Sequence, residues 1–299
     1  MSLITLAKHD RYDYSPIVDR PQFTWPGGKR LAVCVCNNIE VFSFLEGMGS
    51  DSAAPGSPQT TRNYAWRDYG NRVGQWYLFD LLDEFGFPAA HNFNSLLFDA
   101  CPQIAERIRA RGDEFVGHGR TNAERQADLD ETDECALIKE ATDAIRTFTG
   151  AQPAGWLSPY LVQTQTTLDL LKEAGYSYVL DWPADDQPFW MRTRSGPLLS
   201  VPYSIEVNDS PAMVFRQQGA ADFERMMIDQ FDELLLHSAK WPLVYTIVLH
   251  PFVIGQPFRL RALRRALSHI SARRDEVWIT TPSAVASHFA ARFPFAHGE

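Results

Sequence analysis

The sequence predicts an α/β fold in which a parallel β-sheet closes, or nearly closes, into a barrel. Strand and helix candidates alternate along the chain without a break in composition, which favours a single domain. The strand candidates are apolar without alternation, as is typical of strands buried on both faces of a parallel sheet. About seven strand–helix units are too many for an open sheet and favour a closed barrel.

The first half of the chain contains helix candidates with clear start and stop signals. Its strand candidates are residues 31–36, 88–93, 114–116 and 154–157, and its helix candidates are residues 71–85, 102–111 and 132–149. The first helix has a broad apolar stripe and ends at Gly86. The second carries proline in its first turn and stops at Gly112. Thr132 is the N-cap candidate of the third helix.

The second half continues the alternation. Its strand candidates are residues 178–180, 198–201, 243–249 and 277–280, and its helix candidates are residues 165–174, 221–237, 259–272 and 282–292. Residues 9–29, which precede the first strand, combine turn formers with aromatic residues and show no period. We therefore predict an N-terminal extended arm, residues 1–30, packed on one barrel domain, residues 31–299.

Composition excludes several classes of partner. The chain has 299 residues, 45% of them hydrophobic, and a formal net charge of −9. Nucleic acids and anionic membranes attract basic surfaces, so we expect neither as a partner. The four cysteines have neither zinc-site nor disulfide spacing, which indicates reduced thiols in a cytoplasmic protein. The first ten residues do not predict a signal peptide, and no apolar run is long enough to span a membrane.

The segment 115–122 is the strongest candidate for a functional loop. A short apolar strand stops at Gly117-His118-Gly119, where two glycines let the backbone turn sharply. The imidazole of His118 is then presented at the carboxyl end of a strand, where α/β folds build their active sites. Asn122 follows four residues later. The pair suits either two metal ligands or a histidine with the amide that orients it.

Four strand candidates end in side chains that can do chemistry, namely Glu40, His118, Asp181 and His250. A lone histidine in a glycine turn is usually a surface residue, and one that ends a buried strand is often only hydrogen-bonded in the core. A barrel, however, would bring all four groups to one mouth. A carboxylate that activates water and an imidazole that protonates a leaving nitrogen suit hydrolysis of an unactivated carbonyl. The marks of serine esterases, phosphoryl transfer and dinucleotide binding do not occur.

The order of small motifs resembles the polysaccharide-deacetylase superfamily, and within it the branch of metal-independent allantoinases and cyclic-imide hydrolases. The motifs cover nearly the whole chain and lie at residues 25–27, 37–40, 69–76, 117–119, 155–156, 185–190, 201–203, 208–209, 249–250 and 254–257. The resemblance implies a distorted (β/α)7-like barrel. It also implies a hydrolase of carbon–nitrogen bonds other than peptide bonds.

The sequence departs from the metal-dependent members of this superfamily at their metal site. Those members carry two adjacent aspartates after the first strand and then His-x-x-x-His. Here the first site offers Asn37, Asn38 and Glu40, and the second offers His118 with Asn122 in place of the second histidine. An amide is a poor zinc ligand compared with imidazole or carboxylate. We therefore expect no tightly held metal cofactor, with weak binding of zinc or another divalent ion as the alternative.

The resemblance assigns roles in opening a small cyclic amide, a ureide or an imide. Glu40, together with Asp186, positions and deprotonates water. His118, steadied by Asn122, polarises the carbonyl or binds the oxyanion. His250 donates a proton to the ring nitrogen as it leaves.

The substrate-binding residues are expected to line the pocket around these catalytic groups. Trp156 and Trp182 are expected to form its walls. The remaining candidates that fix polar groups of the substrate are Asn38, Arg72, Asn122 and Asn208. Structural roles at a helix start and in a turn are the alternative for Arg72 and Asn208.

Two other functions remain open at this point. One is a metal-dependent deacetylase of an N-acetylated sugar or another amide, which would use Glu40, His118 and Asn122 as ligands. The other is a non-catalytic barrel that binds a small ligand. In each case we expect a small-molecule ligand and a homo-oligomer, either a dimer or a tetramer.

Overall fold

A mostly parallel sheet forms the centre of the structure, a computed structural model that describes Ile4 and residues 6–49 and 58–295. The strands of these described residues are β1 Leu31–Ile39, β2 Ala90–Phe93, β3 Glu114–Gly117, β4 Gly155–Trp156, β5 Tyr178–Val179, β6 Phe189–Thr193, β7 Gly196–Ser200, β8 Leu243–Leu249 and β9 Trp278–Thr280. Their order in the sheet is β6-β7-β5-β4-β3-β2-β1-β8, and β9 also pairs with β1. Only β6 runs antiparallel to its neighbour among these strands.

The two ends of the sheet are brought together to give a distorted barrel. Strand β8 pairs with β1 from Leu31↔Leu243 to Asn37↔Leu249. On its other side, Val248 forms a parallel bridge with Asn208, in the segment that follows β7. Seven parallel strands, β1 to β5 with β7 and β8, thus run around the barrel, and β6 and β9 are additions. The predicted fold class is confirmed.

Helices cover the outside of the barrel. They are α1 Thr61–Tyr69, α2 Gln75–Phe85, α3 Leu97–Ala100, α4 Pro102–Arg111, α5 Glu131–Thr149, α6 Thr167–Glu173, α7 Ala220–His237, α8 Pro251–Ile254, α9 Pro257–Ser271 and α10 Pro282–Arg292. Gly86 and Gly112 end α2 and α4 in the left-handed conformation, as their sequence positions predict. No helix in the described ranges is long and apolar enough to cross a bilayer.

Alternate faces of β1 contribute to two separate cores. Leu31, Val33 and Val35 point outward and pack beneath helices such as α2, α7 and α9. Cys34 and Cys36 point into the barrel, where both are buried free thiols. Because successive side chains of a strand face opposite sides, a strand buried on both faces has no polar alternation. This explains the continuous apolar runs in the sequence.

Several element boundaries differ from those predicted. The first helix begins ten residues earlier, at Thr61, because the side chain of Thr60 accepts a hydrogen bond from Asn63 N and caps it. A π-helical turn, Gly70–Gly74, joins α1 to α2. Asp130, rather than Thr132, is the N-cap of α5. Strand β6 was not predicted, because its polar and exposed residues have no apolar run.

The N-terminal residues lie along the barrel and contact its lower strands. Trp25 is buried, and its indole Nε1 donates a 2.9 Å hydrogen bond to the carbonyl of Leu243. Arg11 forms a 2.8 Å ion pair with Asp169. The division into an arm, residues 1–30, and a barrel, residues 31–299, stays a prediction.

Candidate active site

A cavity of ≈ 560 Å³ lies at the carboxyl ends of the barrel strands. Glu40 follows β1, His118 follows β3 and His250 follows β8, and all three side chains line this cavity. Parallel strands point their carboxyl ends to the same side, so groups far apart in sequence meet there. The structure therefore brings together three of the four predicted polar strand ends.

The Glu40 carboxylate is near two imidazoles. Its Oε1 lies 3.7 Å from His118 Nε2 and 3.6 Å from His250 Nε2. Burial by itself raises the pKa of Glu40, but His118 and the positive charges of His250 and Arg67 outweigh it and hold the pKa below its ordinary value. Glu40 is consequently an ionised carboxylate at neutral pH and can accept a proton.

His250 is held by a carboxylate that sequence reasoning did not assign to it. Asp209 Oδ1 lies 2.7 Å from His250 Nδ1, and Asp209 Oδ2 accepts a 2.8 Å hydrogen bond from the backbone N–H of His250. Burial acts to lower the pKa of His250, but the Asp209 charge and hydrogen bond raise it above its ordinary value. The Nδ1–H therefore points to Asp209, and Nε2 faces Glu40 and the cavity.

The Gly-His-Gly segment fixes the orientation of His118. Its Nδ1 lies 2.7 Å from the carbonyl oxygen of Leu157 and donates to it, so Nε2 faces Glu40. A Cβ at position 117 would lie 2.6 Å from the ring of Trp156, and Gly119 has a φ of +64°. Both glycines are thus required, one by close packing and the other by its backbone conformation.

Asn122 does not orient the imidazole of His118, contrary to the prediction. Its amide oxygen accepts a 2.9 Å hydrogen bond from Asn94 Nδ2, and the same Nδ2 also donates to the backbone carbonyl of His118. The backbone carbonyl of Asn122 accepts a hydrogen bond from Tyr160 OH. Asn122 therefore braces the loop that carries His118, and it is not among the residues that line the cavity.

Asn38 and Asn208 both line the cavity, as predicted for substrate-binding residues. Asn38 Nδ2 donates hydrogen bonds to Tyr203 OH, at 3.0 Å, and to the carbonyl of Leu249. The side-chain oxygen of Asn208 accepts from Ser210 N. Both amides also have structural partners, so their contact with a substrate stays a prediction.

The two tryptophans predicted as pocket walls lie elsewhere. Trp156 is completely buried, packs against Tyr176 and donates from its indole to Ser158 Oγ. Trp182 packs edge-on against Tyr12 of the N-terminal segment and does not line the cavity. The prediction was wrong because sequence position near a strand end does not tell which face of the sheet a side chain occupies.

Arg72 and Asp186 are also remote from the cavity. The Arg72 side chain is 76% exposed, and its nearest carboxylate is Asp68, at 3.8 Å. The backbone carbonyl of Asp186 accepts from Val244 N, near the amino end of β8. His250 lies six residues further on, which corresponds to about 20 Å of extended strand. Asp186 therefore cannot share a water molecule with Glu40.

Asp181, the fourth polar strand end, is buried behind the cavity wall. It accepts hydrogen bonds from the backbone N and the hydroxyl of Ser158, at 2.7 and 2.8 Å, and another from Gln163. Burial, opposed by these hydrogen bonds, raises its pKa to about 6. Asp181 holds together the ends of β4 and β5 and does not line the cavity.

Sequence reasoning missed Arg67, which comes from α1. Its guanidinium lies 3.9 Å from the centre of the Phe42 ring and lines the same cavity as Glu40. Its Nε and Nη1 are buried without a hydrogen-bond partner among the described residues. The helix was predicted to begin only at residue 71, so no signal placed residue 67 near the site.

The side chains present do not fit the ligand set that the resemblance implies for metal-dependent members. Asn122 replaces the second histidine of that set, and its amide oxygen is already bonded to Asn94. In the described ranges, no cluster of three or more His, Cys, Asp or Glu side chains is arranged to hold a metal ion. The donor atoms that do face the cavity can instead take up, hold and release protons.

Comparison with known proteins agrees with this geometry. The sequence profile of the polysaccharide deacetylase family matches residues 66–179. The chain contains a polysaccharide deacetylase domain. This domain belongs to hydrolases that act on carbon–nitrogen bonds other than peptide bonds.

Three relatives illustrate the range of this similarity. A Schizosaccharomyces pombe protein named "Putative polysaccharide deacetylase" is 26% identical over 90% of this chain and 88% of its own length. A Helicobacter pylori peptidoglycan deacetylase is 22% identical over 76% of this chain and 87% of its own length. The crystal structure of Puue allantoinase superposes with a TM-score of 0.82 and 27% identity, and the match covers 95% of this chain and all of that one.

Proposed function

We propose that the protein opens a small cyclic amide, a ureide or an imide, by general acid–base attack of water. One observation carries this proposal: Glu40 lies 3.6 Å from His250, which is in turn held by Asp209. A carboxylate with a lowered pKa and a histidine with a raised pKa make a base and an acid that coexist near neutral pH.

The reaction balances with these two groups. Glu40 takes a proton from water as the oxygen attacks the ring carbonyl, and the carbonyl oxygen becomes an oxyanion. The carbon–nitrogen bond then breaks, and the proton on His250 Nε2 passes to the leaving nitrogen. Return of the proton from Glu40 to His250 restores the starting state. The product is the ring-opened acid with one water molecule added.

His118 is placed to stabilise the oxyanion. Because its Nδ1–H is bound by the Leu157 carbonyl, Nε2 carries the lone pair in the neutral form and a proton in the imidazolium form. Only the imidazolium can donate from Nε2 towards an oxyanion. We assign it this role, with the Glu40 carboxylate 3.7 Å away as its counter-ion before water is deprotonated.

Two considerations favour a cyclic amide over an acetylated sugar. The side chains replace the metal-ligand set that the resemblance implies for deacetylases, whereas a strained or activated ring carbonyl can be attacked without a Lewis acid. In addition, the Puue allantoinase structure covers nearly the whole chain at 27% identity. The allantoinase activity belongs to that protein, and its similarity supports ring opening here.

The test is hydrolysis by protein that has been stripped with a chelator. The panel contains allantoin, hydantoin, dihydrouracil, succinimide and glutarimide, beside an N-acetylglucosamine oligomer. Ring opening without metal is the expected result. Deacetylation of the oligomer that appears only after zinc or manganese is added, with no ring opening, would overturn the proposal in favour of a metal-dependent deacetylase. Binding of a ring compound with no turnover would indicate a non-catalytic barrel.

A further inference from the structure

The cavity is larger than the reaction centre requires. Its volume of ≈ 560 Å³ lies within the range of about 300–1,000 Å³ that is usual for drug-sized ligands. Glu40, His118 and His250 occupy one side of it. A bare five- or six-membered ring that reaches these groups would leave much of the remaining volume to water.

The remaining walls of the cavity are apolar from the floor to the mouth. Leu157 and Phe252 are buried near the catalytic groups, and Val214 continues the wall outward. At the mouth, Ile205 and Phe215 line the same cavity although they are 47% and 73% exposed. Neither of these two side chains belongs to a hydrophobic cluster of the described chain. Exposed apolar surface that is continuous with a cavity marks a binding surface.

The backbone of this wall is held in unusual conformations. Tyr160, Leu161 and Gln217 have φ values of +62°, +56° and +55°, and all three line the cavity. Left-handed conformations at residues other than glycine are strained, and they cluster at ligand sites. Phe215 ends a π-helical turn, Ser210–Phe215, which is another feature that is frequent at functional sites. The wall is therefore shaped independently of the catalytic floor.

We infer that the substrate ring carries an apolar substituent, about as large as an isobutyl or benzyl group, which lies against Leu161, Val214 and Phe215. The inference rests on the proposed ring-opening function and deepens it by naming the substrate class. The ring reaches Glu40 and His118 at the floor, and the substituent extends towards the mouth. Removal of both surfaces from water provides the gain in binding.

The test compares two substrates with the same ring, hydantoin and 5-benzylhydantoin. Calorimetry measures their binding to the chelator-treated protein, and ring opening gives kcat/KM for each. We expect 5-benzylhydantoin to bind at least tenfold more tightly and to have a kcat/KM at least tenfold higher. Equal or weaker binding of 5-benzylhydantoin would overturn the inference, even if both rings are opened.

Variants locate the substituent and separate the two proposals. We expect Phe215→Ala to lower the ratio of the two binding constants several-fold. Phe258→Ala removes another exposed phenylalanine, which lies outside the cavity, and leaves both constants unchanged. A ratio that is unchanged in both Phe215→Ala and Val214→Ala would refute the placement. If neither ring is opened, the proposed reaction fails, while the binding ratio still decides what the wall accepts.

Discussion

The pair formed by Asp209 and His250 gives the sharpest test of the proposed mechanism. In Asp209→Asn the amide oxygen can keep the hydrogen bond from the His250 backbone, but the amide nitrogen then faces Nδ1. This arrangement removes the negative charge and donates to Nδ1, so that neutral His250 carries its proton on Nε2. Neutral imidazole is a far weaker acid than imidazolium and cannot protonate a leaving nitrogen.

The size of the effect follows from the 2.7 Å separation of Asp209 Oδ1 and His250 Nδ1. An opposite charge at this distance in a buried site shifts a pKa by about 1–3 units. The pKa of His250 is raised by Asp209, so removal of the charge lowers it. Because catalysis needs protonated His250, the basic limb of the kcat/KM profile should move to lower pH by about 1–3 units. At neutral pH, kcat/KM should fall by about 10²- to 10⁴-fold.

The assay is the pH dependence of kcat/KM for the best ring substrate, with thermal unfolding as the check on folding. Asp186→Asn is the matched control, since it makes the same chemical change at a buried carboxyl outside the cavity. We expect the control to keep the wild-type profile. A folded Asp209→Asn variant with the wild-type basic limb and rate would refute the acid role of His250.

Three further predictions concern the base, the charge of the cavity and the barrel interior. Glu40→Gln should lower kcat by about 10²- to 10⁴-fold, and a wild-type rate in single-turnover assays would exclude Glu40 as the base. Arg67→Gln should move both limbs of the pH profile to higher pH, because Arg67 lowers the pKa of both Glu40 and His250; exposed Arg72→Gln is the control, and an unmoved profile would contradict this. Gly155→Ala places a Cβ 2.0 Å from the ring of Tyr178 and should lower the free energy of unfolding by at least about 1–3 kcal/mol. Urea unfolding measures that loss, and unchanged stability would show that the ring can move aside.

Local sequence signals were sufficient for most of the architecture. The run Leu243–Leu249 was predicted as a buried strand, and α4 and α10 were predicted with the bounds that the structure has. Apolar runs, prolines at helix starts and glycines at helix ends act within a few residues, so they can be read without knowledge of the fold. Strand β6 was missed because an exposed antiparallel edge carries no such signal.

The sequence also determined which strand ends carry reactive groups. Glu40, His118 and His250 each follow a predicted strand, and parallel strands in a barrel place their carboxyl ends on one side. The closeness of these three residues follows from topology alone. The positions of Trp156 and Trp182 did not follow, because the face that a side chain occupies depends on where each short strand begins.

Only the tertiary structure decided how each reactive group is tuned. Asp209 meets His250 across 41 residues of sequence, and Asn94, rather than His118, takes the amide oxygen of Asn122. Arg67 enters the cavity from a helix that begins earlier than its sequence signals indicate. The sequence by itself fixes the chemical identity of the groups and the strands that carry them. Their protonation depends on charges a few ångströms away in space, and the fold alone sets those distances.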